Sequence, residues 1–153
     1  MGEPSQEGGG AIPANPALKP FEFLIGQWRT TGKHPEIPGE TLHGRSSFAW
    51  DEDGAFLVVR THVDHPQIPD SVAFIASDDV AGKFVMAYFD RRGVSRIFDV
   101  AAGDGVVTWR RDNPQFAQSM TIRADGDELF GEGRMSIKGG AWVDDLSQVY
   151  ARA

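Results

Sequence analysis

A chain of 153 residues with 22 acidic and 15 basic side chains, a formal charge of −7 and no cysteine is long enough for one domain whose core needs no covalent staple. The acidic balance excludes the basic stripe that a nucleic-acid partner requires, and the absence of cysteine excludes disulfides and thiolate metal sites. No apolar run approaches the roughly 20 residues that span a bilayer, no secretory leader opens the chain, and Gln6 stands where N-myristoylation wants Ser or Thr. The expectation is a cytoplasmic protein with neither membrane nor nucleic acid as partner.

Residues 1–16, rich in Gly, Pro and Glu, read as a disordered leader, and residues 17–153 as one barrel domain. From Ala17 to Ile25, the residues Leu18, Phe21, Leu24 and Ile25 share one helical face, with Pro20 in a first-turn position. This predicts a two-turn helix that plugs one end of the fold, or an irregular apolar loop with the same burial. Gly26-Gln27-Trp28 then opens a series of period-two segments. Thr41–Asp51, Ala55–Val63, Ser71–Ser77, Lys83–Asp90, Val94–Ala101, Val106–Arg111, Gln115–Arg123, Glu128–Lys138 and Ala141–Arg152 follow. Asp53-Gly54, Asp78-Asp79, Arg92-Gly93, Gly103-Asp104-Gly105, Asn113-Pro114, Asp125-Gly126-Asp127 and Gly139-Gly140 mark the turns between them. With the strand that carries Trp28 this makes about ten short strands and leaves no room for a crossover helix, so the topology is an antiparallel meander. Val58-Val59, Phe74-Ile75 and Val106-Val107 make both faces of several strands apolar. A closed up-and-down barrel accounts for this better than a sandwich, because one face lines a lumen and closure removes exposed edges. About ten strands enclose more volume than side chains fill, so a ligand cavity is expected.

The stretch from Tyr88 to Arg96 is the most informative for chemistry. A three-residue loop of Arg91, Arg92 and Gly93, with Gly93 left-handed, sets Asp90 opposite Val94 and Tyr88 opposite Arg96. Tyr88 and Arg96 then share an otherwise apolar inner face with Phe84, Met86 and Phe98. A guanidinium there needs a partner: either Asp90, Asp144 or Asp145, or the anionic head of a ligand. Trp109, Met120 and Gln118 join the same expected wall. Arg60 and His62, grouped with Phe56 and Val58, are assigned to the lumen as well. His65 falls in a turn, while His34, His43, His62 and Glu36 lack any metal-site spacing. Trp28 reads as a structural residue at the closed end, with Arg152, or behind it Arg123, stacked on its face. Val59, Ile75 and Phe89 are assigned to an outer wall flat enough for a homodimer contact. No serine sits in a nucleophile elbow. Gly131-Glu132-Gly133 precedes no helix and reads as a bend in the wall rather than a phosphate loop. A one-residue bulge would exchange the inner and outer sets beyond it.

Phe21, Leu24, Gly26 and Trp28, then Tyr88, Asp90, Gly93 and Arg96, then Trp142, Asp145, Leu146, Tyr150 and Arg152 form three motifs in order. In these the chain resembles the calycin superfamily, and within it an uncharacterised bacterial lipocalin-like family. The resemblance runs from about residue 20 to the C-terminus and implies a barrel with a cavity. A neighbouring calycin family, nitrobindin, binds haem through a His on its last strand. Here Ser147 stands near that position, and no His follows His65, so no haem is expected and no other cofactor is indicated.

Three functions remain open from sequence. The first is a binding protein holding a small, mostly apolar molecule among Arg60, His62, Met86, Tyr88, Arg96, Phe98, Trp109 and Gln118. The second is a small enzyme in which His62 or Tyr88 moves a proton in a dry pocket. The third, disfavoured by the late-strand Ser147, is a haem carrier.

Overall fold

The computed structural model describes residues 15–78 and 82–153. Residues 1–14 of the expected leader, and Asp79 of the Asp78-Asp79 turn, lie outside the described residues. Ten strands follow in chain order: β1 (Gly26–Lys33), β2 (Leu42–Asp51), β3 (Phe56–Val63), β4 (Ser71–Ser77), β5 (Phe84–Asp90), β6 (Ser95–Gly103), β7 (Val106–Arg111), β8 (Phe116–Asp125), β9 (Glu128–Ile137) and β10 (Val143–Arg152). Each pairs antiparallel with the next, and β1 pairs with β10, so the sheet closes into one barrel. The all-β, ten-stranded meander expected from turn spacing is therefore the architecture.

The helix before β1 forms, but as a 3₁₀ helix over Pro16–Leu24 that is capped by the Asn15 side chain. Pro16 occupies its first turn and Pro20 its interior. Two residues without N–H groups cannot serve an i→i−4 ladder, which favours the tighter short helix. Leu18, Phe21 and Leu24 are fully buried, and the Phe21 ring meets Phe84 edge-on at 5.0 Å. This plugs one end of the barrel. Trp28 Nε1 donates to the Leu24 carbonyl at 2.8 Å, and the Arg152 guanidinium lies 3.9 Å from the Trp28 ring centroid while donating to the Ile25 carbonyl at 2.7 Å. The first and last strands are thereby tied to the plug by the stacking expected of Trp28. Gly26, at φ 140°, faces that guanidinium so closely that a Cβ would collide with it.

The register fixes which side chains point inward. In β3 these are Leu57, Val59 and Val63, all buried, together with Thr61. Arg60 and His62 therefore face outward, against the sequence assignment. The first four positions of β3 are all apolar, so alternation alone could not phase the strand, and the barrel's closure chose the other parity. Val59 and Ile75 are likewise interior rather than on the outer wall. Phe89 does lie outside, with Phe56 and Phe74, the rings meeting edge-on at 6.0 and 6.4 Å, and Val85 and Ile97 are exposed on the outer face too.

Candidate functional site

Beyond the plug the inner face opens into a cavity of about 650 Å³, within the usual range of ligand pockets. Phe48, Val59, Met86, Phe98, Trp109 and Met120 form the apolar part of its wall, beside polar side chains such as Ser46, Thr61 and Gln148. Two glycines of β9 lie tight against their neighbours. A Cβ on Gly131 would stand 3.1 Å from the Tyr150 ring and 3.5 Å from the Met120 sulfur, and one on Gly133 would stand 2.7 Å from the Leu146 carbonyl. β9 runs unbroken through both, and these glycines make room for Tyr150 and for β10.

The polar groups collect toward the end away from the plug, where the chain enters the loops 34–41, 64–70 and 91–94. The hairpin predicted from Arg92-Gly93 is present: Tyr88 pairs with Arg96, Gly93 has φ 83°, and the Asp90 N–H donates to the Val94 carbonyl at 3.0 Å. Arg96 thus points into the lumen beside Tyr88, its guanidinium 6.0 Å from that ring and 5.1 Å from the ring of Phe116. Its hydrogen bond goes to Gln118 Oε1 at 3.0 Å. Gln118 Nε2 in turn donates to Asp145 at 3.3 Å. Asp145 receives His34 Nε2 at 3.0 Å, and His34 Nδ1 accepts the Glu36 N–H at 3.0 Å, which leaves the Nε2 proton for the carboxylate.

Each carboxylate expected to neutralise Arg96 is engaged elsewhere. Asp90 takes Arg92 at 2.6 Å and the Tyr88 hydroxyl at 2.8 Å, Asp144 takes Arg134 at 2.8 Å, and Asp145 takes His34 and Gln118. Among the described residues no carboxylate lies within ion-pair distance of Arg96. Burial accordingly holds its pKa below the ordinary arginine value. Tyr88 is pushed up to about 12, first by burial and then by its bond to Asp90, so it is a hydroxyl donor and not a base at neutral pH.

Asp90 is held down at about 2, chiefly by its hydrogen bonds from Arg92. A carboxyl whose folded pKa lies below its unfolded value contributes stability that is present above about pH 4 and lost as the pH falls toward 2. In urea unfolding, wild type is expected to exceed Asp90→Asn in stability at pH 7, with the difference shrinking between pH 4 and 2. A gap independent of pH would refute the ion-pair origin.

Of the residues singled out from sequence, Met86, Tyr88, Arg96, Phe98, Trp109 and Gln118 line the cavity together. Arg60 and His62 do not: His62 Nδ1 meets Asp70 Oδ1 at 2.7 Å on the outer wall, and this bond lowers the Asp70 pKa. Phe84 packs on the plug. His43 is an exposed outward residue of β2, and no three His, Asp or Glu side chains converge on a metal-sized site among the described residues. Sequence reasoning named Asp145 as a possible partner of Arg96 but missed Phe116 and His34 as members of the site. Phe116 was legible in principle, two positions from Gln118 on the same face of β8. That Asp145 meets Gln118 and His34 rather than Arg96 was not legible, because it lies in a β-bulge where the β9–β10 register slips between Asp144 and Ser147.

Haem fits this donor set poorly. His34 is the histidine that reaches the cavity among the described residues, and both its ring nitrogens are engaged, while Ser147 is exposed on β10.

The molecule is thus a closed ten-stranded antiparallel barrel with an internal cavity, consistent with a calycin-like barrel and suited to ligand binding. The solved crystal structure of Rv2717c from M. tuberculosis is similar to it, with a TM-score of 0.69 and 20% identity over 91% of this chain and 98% of that one. At that identity the similarity shows the fold. No family model and no curated protein matches the chain.

Proposed function

We propose that this barrel, as a lipocalin-like member of the calycins, binds a small, mostly apolar molecule with an anionic head, the head lying on Arg96. The observation that carries the reading is a lumenal guanidinium whose three candidate carboxylates are all engaged elsewhere. An isolated buried charge is costly, and an anion brought by the ligand offsets that cost while the apolar wall takes the ligand's body. Proton-transfer catalysis by His62 or Tyr88 is less well supported, since His62 is outside the lumen and Tyr88 keeps its proton.

Calorimetric titration with decanoate and with decanol tests this. The acid is expected to bind about ten- to a hundredfold tighter, the worth of a hydrogen bond to a charged group. Equal affinity would overturn the anionic head, and binding of neither would overturn the apolar-ligand reading itself.

A further inference from the structure

Building on that reading, we infer that the head site is selective for a singly charged, planar anion, a carboxylate, over a doubly charged one, and that Asp145 sets the selectivity through Gln118. The Gln118 amide has one orientation, Oε1 toward the Arg96 guanidinium and Nε2 toward the Asp145 carboxylate. A single amide group therefore separates the free cation from a fixed anion. Asp145 is held in place by His34 and by its own bond from the Leu146 N–H at 2.9 Å, and its side chain is only 16% exposed.

Among the described residues, the arginines of the cavity wall leave room for one negative charge. Arg92 is matched by Asp90. Arg111 is not part of the cavity wall and donates to the Phe116 carbonyl at 3.2 Å. Of the two arginines that line the cavity among the described residues, Arg96 is the one without an ion pair. A carboxylate neutralises it and matches the paired N–H groups of its fork. A second negative charge on the same head finds no matching cation and faces Asp145 across the amide, in a lumen walled by Phe98 and Trp109 where screening is weak.

The test is calorimetric titration at pH 8 with decanoate, decyl phosphate (dianionic there) and decanol, below their self-association concentrations. Wild type is expected to bind decanoate at least about tenfold tighter than decyl phosphate. Asp145→Asn is expected to narrow that ratio below about threefold and to leave decanol unchanged. Asp145→Glu, which keeps the charge, is expected to preserve the ratio, and thermal unfolding of both variants separates a loss of selectivity from a loss of fold. Equal affinities in wild type, or a ratio unmoved in Asp145→Asn, would overturn the selectivity while leaving the anionic head intact. If decanoate binds no better than decanol, the proposed function fails first and the selectivity with it.

Discussion

Substituting methionine for Arg96 is expected to weaken decanoate binding by about ten- to a hundredfold while leaving decanol affinity unchanged. Methionine keeps the apolar stem, while the guanidinium that lies against the Tyr88 and Phe116 rings is removed. What disappears is the lumenal charge and its bond to Gln118. Stability should move by less than about 1 kcal/mol, because a guanidinium held there without a carboxylate gains little from the fold. Affinity and stability thus move independently, which is the signature of a ligand-facing charge. A structural charge would do the opposite, with Arg96→Met unfolding at markedly lower denaturant and acid and alcohol affinities falling together. Titration and urea unfolding on the same preparation distinguish the two.

At the other end of the barrel, Trp28→Ala is expected to cost about 3–5 kcal/mol, lowering the thermal midpoint by about 10–15 °C. The side chain is 2% exposed and makes three different contacts. Its ring meets Tyr150 edge-on at 6.4 Å, its face carries Arg152, and its N–H holds the last carbonyl-bearing turn of the plug. Truncation leaves a cavity, removes the cation's platform and orphans the Leu24 carbonyl, all at the junction of helix, β1 and β10. Circular dichroism melting measures it. A loss under about 1 kcal/mol would mean that the plug is secured by Leu18, Phe21 and Leu24 alone. Because the residue stands outside the polar mouth, folded variant protein at low temperature should keep its preference for acid over alcohol.

Much of this was legible in the chain because turns and alternation are local. Gly93 demands a left-handed residue, and that one requirement sets Tyr88 opposite Arg96, a register the barrel keeps. Gly26-x-Trp28 marked the first strand, and the stacking of Arg152 on Trp28 followed from a closed meander bringing first and last strands together. Asn15 and Pro16 start the plug where an apolar helical face was read, though two prolines tightened it to a 3₁₀ helix.

What the sequence by itself determined, then, was the order of strands, their turns and the hairpin that carries Arg96. The tertiary structure alone decided which face of β3 and β4 is lumenal and which acid meets which base. Phe56, Leu57, Val58 and Val59 are apolar on both parities, so their local pattern holds no inside or outside. Only closure against the helix and the neighbouring strands turned Leu57 and Val59 inward and sent Arg60 and His62 out. The β10 bulge that turns Asp145 toward His34 and Gln118 likewise depends on Gly133 leaving space on the adjacent strand, a relation between residues that are neighbours only once the barrel has formed.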